Sequence, residues 1–203
     1  MKLYNENMPA PNPRRVRMYL AEKGIDVPLV HIAMMKREHK SPEFRAKNSL
    51  GQVPSLELDD GTVISESVSI CRYLEALHPE KPLFGRTPLE IAQIDMWLRR
   101  IEFVIMTPIG NYWRHAHPYT SKLLTQFKDF GESNVEAASR SLQWLDRELE
   151  GHDYVVGNDF SVADIMMLCS IDFGIYTGLN IPDDCGNVKA WHERVSARPS
   201  SKA

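Results

Sequence analysis

Within Met8-Pro9-Ala10-Pro11-Asn12-Pro13-Arg14-Arg15-Val16-Arg17 the order of residue types predicts a helix start that favours an anion beside it. Asn12 can act as N-cap, Pro13 fits the first helical position because its missing N–H has no helical partner, and Gly24 can close the far end. The unpaired N–H groups and positive dipole end of such a helix favour a negative charge by up to ~2 kcal/mol in a partly buried geometry. Pro13 removes one donor, which leaves the Arg14 and Arg15 amides, and the side-chain amide of Asn12 is a further candidate. A second group of interest, Tyr112-Trp113-Arg114-His115-Ala116-His117-Pro118, holds two imidazoles at close spacing. Read as a metal pair they lack a further His, Cys or carboxylate nearby, so no metal site is expected. Cys71, Cys169 and Cys185 lie far apart and form no CxxC, which disfavours a disulfide framework, a zinc site and a redox pair; burial as small apolar residues is the expectation.

The elements that must position these groups fall into two textures. Lys2 to Asn5, 29 to 33 and 55 to 58 read as strands, and Asp60-Gly61 before Val63-Ile64 marks a hairpin. Val16, Tyr19 and Leu20 give the first helix an apolar face, and a further helix over 68 to 77 carries Ile70, Tyr73, Leu74 and Leu77. After Pro79 no strand-period segment recurs. Helices are expected over 89 to 114, 121 to 150 and 188 to 197, and Phe160-Ser161-Val162-Ala163-Asp164-Ile165 has the form of a capping box with a hydrophobic staple. An α/β domain over 1–82 and an all-helical domain over 88–203 follow.

The 203 residues are 43% hydrophobic, enough for a sizeable core, and a formal charge of -3 gives no basic face, so nucleic acid is not an expected partner. No run is long and apolar enough to span a bilayer, and the first residues turn polar at once, so no membrane association and a cytosolic location are expected.

Gly51-Gln52-Val53-Pro54 followed by Glu66-Ser67, within NSLGQVPSLELDDGTVISES, together with FSVADI, resembles the cytosolic glutathione transferase family over nearly the whole chain. The resemblance implies a thioredoxin-like N-terminal domain with a mixed four-stranded sheet, then an all-α bundle. It implies a cis peptide bond before Pro54 that leaves the Val53 backbone free for glutathione to add as one more antiparallel strand. Ser67 and the helix amides behind it would hold the γ-glutamyl carboxylate, and Glu66 the α-amino group. Gln52, with His39 or Lys40, would hold the glycyl end, although His39 and Lys40 also read as ordinary loop charges.

The family's usual helper is a Ser or Cys at the place of Ala10, or a Tyr in the first strand. A methyl group can neither donate a hydrogen bond nor form a mixed disulfide, so thiol-exchange branches fit poorly, and Tyr4 reads better as strand packing. Moving a thiol pKa from about 8.5 or 9 to near 6.5 takes roughly 3 kcal/mol, which several partial sources can share. EHKSPEFRAKN, LELDDGT, TPLE and YWRHAHP are similar to a fungal and bacterial subset that lacks all three helpers, in which a water held by a His and a Ser assists the thiol. Here those would be His115 and Ser121, with Asn12 the other catalytic candidate; His115 also reads as an exposed helix-end side chain.

The resemblance further implies a second-substrate wall at Met8, Phe103, Met106, Tyr112 and Trp113, suited to apolar electrophiles, and a homodimer. Glutathione enters as co-substrate, with no other cofactor. Two functions are compatible with these residues: a transferase that conjugates glutathione to an electrophilic small molecule, and a glutathione-binding protein of the same fold without efficient chemistry.

Overall fold

The computed structural model describes residues 1–7 and 10–203, so Met8 lies outside the described residues. Contacts divide the chain into two compact units, Met1–Pro82 with Pro199–Ala203, and Leu83–Arg198. The tail from 199 onward thus belongs with the first unit, not with the helical one in which the sequence reading had placed it. Hydrogen bonds help hold it there: Arg14 donates to the Ser201 carbonyl at 2.8 Å, and the Ser200 hydroxyl to Glu22.

The first unit is a mixed sheet in the order β2-β1-β3-β4, with β1 at Lys2–Asn5, β2 at Leu29–His31, β3 at Ser55–Glu57 and β4 at Val63–Ser65. β2 runs parallel to β1, while β3 is antiparallel to both β1 and β4. Gly61, at φ 86°, supplies the left-handed turn of the β3–β4 hairpin. Helix α1 spans Pro11–Lys23, short α2 Pro42–Arg45 and α3 Ser67–Leu77. α1 buries Val16, Tyr19 and Leu20, and Gly24 closes it in the left-handed conformation at φ 66°. The Tyr19 hydroxyl and Lys23 Nζ both donate to Glu75 of α3, fastening the two helices.

Asn12 is not the N-cap of α1. Ala10 takes that place in an extended conformation without a side-chain cap, because Pro11 is as well suited as Pro13 to the opening turn. The Arg14 N–H is then drawn into the helix, donating to the Ala10 carbonyl at 3.4 Å.

In the second unit the helix expected over 89 to 114 is three segments: α4 at Pro88–Arg100, a π-helical stretch at Ile101–Met106 and α5 at Thr107–His115. Pro108 is the cause, since it brings no N–H and its ring crowds the carbonyl four residues back; the backbone widens so that the Thr107 N–H reaches the Glu102 carbonyl. The helix expected over 121 to 150 starts later, as α6 at Lys128–Glu148, after a 3-10 turn at Pro118–Lys122. Buried Thr120 holds that turn by donating to the Trp113 and His117 carbonyls, which breaks the helical phase. α7, Val162–Tyr176, begins with the Ser161–Asp164 capping box. Fully buried Asp164 also accepts from the Val155 N–H and the Trp191 indole at 2.9 Å each, tying α7 to α8, Gly186–Ser196. All three cysteines are free thiols and buried. Among the described residues no helix is long and apolar enough to cross a membrane.

Candidate functional site

The strand directions gather four loops at one end of the sheet. The exits of β1, β2 and β4 and the entry to β3 all lie there, because β1, β2 and β4 run one way and β3 the other. In order, these loops lead to the start of α1, the 3-10 turns Met34–Lys36 and Glu38–Lys40, the Glu66–Ser67 corner, and Gly51 to Pro54. Every sequence-expected glutathione contact of the first unit therefore stands at this end. The antiparallel register of β1 and β3, Tyr4 opposite Ser55, carries Val53 to the level of Glu6, just upstream of α1.

The Val53–Pro54 peptide is cis. The Val53 side chain is buried with Tyr4 and Phe44, while its N–H and C=O have no hydrogen-bond partner among the described residues. An edge of backbone is thus free to pair with an extended ligand. Asn48, which sequence reasoning missed, holds this loop: its Nδ2 donates to the Gln52 carbonyl at 2.9 Å and to Ser55 Oγ at 3.1 Å. Gly51 at φ 57° is required twice over, since a Cβ there would also come within 2.5 Å of the His39 carbonyl.

Glu66 lies at φ 68°, a conformation costing a non-glycine residue about 1–3 kcal/mol and found mainly where function demands it. This bend turns β4 sharply into α3. The Ile70 N–H is the first to bond back, to the Glu66 carbonyl, so the Ser67, Val68 and Ser69 amides lie outside the helical ladder. With the Ser67 hydroxyl, itself in a 6% exposed residue, they form a helix N-terminus equipped for a carboxylate. Glu66 is exposed beside it.

Lys40 Nζ donates to the Leu50 and Gly51 carbonyls at 3.0 and 2.7 Å, joining its turn to the Val53 loop. His39 Nδ1 is buried with no partner among the described residues. Burial lowers the pKa of His39, and the positive charges of Lys40 and Arg37 lower it further against an opposing pull from Glu6. Glu6, only 3% exposed, is a second residue the sequence reading missed; its carboxylate accepts from the Asn7 and Met34 amides at 2.7 and 2.9 Å and so ties the exits of β1 and β2. Arg17 adds a strut, donating to Asn5 Oδ1 at 2.7 Å and the Glu6 carbonyl at 2.8 Å. Polar runs such as Glu6-Asn7 carry no local signal of these distant partners.

At the start of α1 the donors are fewer than the sequence suggested. Pro11 and Pro13 have no N–H and the Arg14 amide is bonded to Ala10, which leaves the Asn12 N–H as the one first-turn amide outside the ladder. The Asn12 side chain is exposed and accepts at Oδ1 from Arg15 Nη1 at 2.7 Å. Tyr4 is committed elsewhere: its hydroxyl donates to Glu57 Oε2 at 2.6 Å.

In the second unit, His115 Nδ1 accepts weakly from the Phe127 N–H at 3.4 Å, and the ring lies against Phe127 and Phe130. The Ser121 hydroxyl donates to the Pro118 carbonyl at 2.7 Å. Phe103 and Met106 fall in the π-helical stretch, with Phe103 64% exposed. Trp113 stacks on Tyr119 at 5.4 Å and meets Phe173 edge-on, while Tyr112 meets His117. Among the described residues no cluster of His, Cys, Asp or Glu is arranged to hold a metal ion.

Comparison with known proteins assigns this architecture. Residues 10–77 match the glutathione S-transferase N-terminal domain and residues 112–199 the glutathione S-transferase C-terminal domain. Glutathione S-transferase 2 of Saccharomyces cerevisiae is 40% identical over 196 residues, which is 95% of this chain and 84% of that protein. The crystal structure of Gtt2 from Saccharomyces cerevisiae matches with a TM-score of 0.91 at 38% identity, covering 100% of this chain and 99% of that one. A glutathione S-transferase domain-containing protein from Marinobacter aquaeolei gives a TM-score of 0.91 at 37% identity over 98% of this chain and 99% of its own. The chain belongs to the glutathione S-transferase family.

Proposed function

We propose that the protein transfers the thiolate of glutathione to an electrophilic small molecule, and that it does so without a hydroxyl or thiol helper in the position filled by Ala10. The observation that carries this reading is the grouping, at one end of the sheet, of the unpaired Val53 backbone, the open amides of α3 with Ser67, and the start of α1. In this reading the peptide backbone of glutathione pairs with Val53, its γ-glutamyl carboxylate meets Ser67, its amino group meets Glu66, and its glycyl end meets Gln52, His39 and Lys40. Glutathione is a co-substrate, and no resident cofactor is invoked.

The thiolate is favoured by partial contributions from the Asn12 amides and a water held by His115 and Ser121, as in the subset without Tyr, Ser or Cys helpers. The hydrogen bond from the Phe127 N–H to His115 Nδ1 puts the ring hydrogen of a neutral His115 on Nε2. A water there accepts from the ring, gives one hydrogen to Ser121 Oγ, whose own hydrogen is spent on the Pro118 carbonyl, and keeps the other for the sulfur. The second substrate is an apolar electrophile met by Met8, Phe103, Met106, Tyr112 and Trp113. Exposed Leu89 and Met96, two turns apart on one side of α4, fit a face covered in a homodimer, and the setting we infer is cytoplasmic detoxification.

The test is retention on immobilised glutathione together with conjugation of a chloronitrobenzene acceptor. Turnover above the solution rate supports the transferase reading; retention without it returns the protein to the binding-only alternative.

A further inference from the structure

We propose that Arg15 is a positioning residue for the glutathione thiolate, acting through Asn12; this rests on the reading that Asn12 stands at the thiol. A helix start ordinarily offers several free amides to an anion. Here two prolines and the Arg14–Ala10 hydrogen bond reduce them to the Asn12 N–H, so the orientation of the Asn12 side chain decides whether a second donor is present. Arg15, one turn on, is on the same face of α1 and only 7% exposed, and its Nη1 donates to Asn12 Oδ1 at 2.7 Å. A guanidinium has donors and no acceptor. The amide must therefore turn its oxygen to Arg15 and its NH2 group away, and no other partner of that NH2 group is found among the described residues.

This arrangement is not a cap. A capping Asn would spend Oδ1 on the amides of its own helix, whereas here that oxygen belongs to Arg15 and Ala10 occupies the cap position. Free of Arg15, the exposed amide can flip and present its oxygen, which repels a thiolate. Held by Arg15, it presents donors only, and a cation on the carbonyl side strengthens those donors. The bound thiol gives its proton to solvent, and the sulfur that remains accepts from Asn12 Nδ2–H.

The experiment titrates the ultraviolet absorbance of the thiolate in the complex of full-length protein with glutathione, for wild type, Asn12→Ala, Arg15→Lys and the double variant. Lysine keeps the charge but not the planar reach to Oδ1, so a role for the charge alone leaves Arg15→Lys like wild type. The expected result is a rise in bound-thiol pKa, with about three- to tenfold less thiolate at a pH near the wild-type midpoint, for Asn12→Ala and for Arg15→Lys. The double variant should be no worse than Asn12→Ala. The kcat of Arg15→Lys should fall with little change in KM for glutathione.

A rise in Asn12→Ala with none in Arg15→Lys, or additive effects in the double variant, overturns the role of Arg15. An unchanged titration in Asn12→Ala overturns instead the reading of Asn12. Arg15→Gln, in both the Asn12 and the Ala-substituted background, asks the same question with a neutral side chain if the lysine variant loses its cooperative melt. A pKa rise confined to the Asn12 background supports Arg15, and equal rises in both overturn it.

Discussion

Tyr4 spends its phenolic hydrogen on Glu57, 2.6 Å away across the β1–β3 pair, and Lys47 donates to the same carboxylate oxygen at 2.7 Å. Tyr4→Phe should therefore leave conjugation at the wild-type rate and lower stability slightly. The hydrogen bonds from Lys47 and Tyr4 hold the Glu57 pKa down at about 2, below its ordinary value. A depressed carboxylate stabilises the fold above about pH 4.5, its ordinary range, and that contribution is lost as pH falls toward the folded value. Acid unfolding followed by circular dichroism should accordingly be less steep in Tyr4→Phe; a large loss of turnover in that variant would restore Tyr4 as a candidate helper.

Ser67→Ala should weaken glutathione about tenfold, since the hydroxyl has no partner among the described residues and stands beside open helix amides. Calorimetric titration measures it. The kcat at saturating glutathione should change little, and unaltered affinity would remove Ser67 from the site.

His39 gives up its proton more readily in the folded chain than in the unfolded one, because burial and the cations Lys40, Arg37 and Arg45 oppose its charge. Its contribution to stability is fully present above about pH 6.5 and is lost as pH falls through that range, because the unfolded state then binds the extra proton. A glycyl carboxylate bound beside it reverses part of the shift. Glutathione binding near pH 6 should then take up protons at His39, a contribution to the buffer dependence of the binding enthalpy that His39→Asn removes while the proton release from the bound thiol remains. The same buffer dependence in His39→Asn as in the wild type would separate His39 from the glycyl end.

His115→Ala should lower turnover about tenfold or more while glutathione affinity stays near wild type, the signature of a group used for the thiolate and not for binding. A wild-type rate in that variant would leave the thiolate to the start of α1 alone.

The features legible in the sequence were those whose partners lie within a turn or two. Gly61 in its hairpin, Gly24 closing α1 and the Ser161–Asp164 box are local geometry written in local residue types. Asn12 shows the limit. It has the chemistry of a cap, but the prolines on both sides of it admit two helix starts, and Arg15 takes its oxygen. The phase break before α6 depends on Thr120 reaching back to Trp113, and leucine periodicity cannot register such a tie. Glu6 and Asn48 went unread because each works by bridging loops, Glu6 to Met34 and Asn48 to Gln52 and Ser55, and an isolated acid or amide in a polar run announces nothing of that.

The tail that returns to α1 means that the first unit is not a continuous stretch of sequence. Severing the chain after Pro82 would take from α1 the carbonyl that receives Arg14 and the hydroxyl that reaches Glu22. The helix whose start we propose meets the glutathione thiol is thus clasped by residues that come after the helical domain in sequence, and transplanting residues 1–82 as an autonomous module would carry that helix without its clasp.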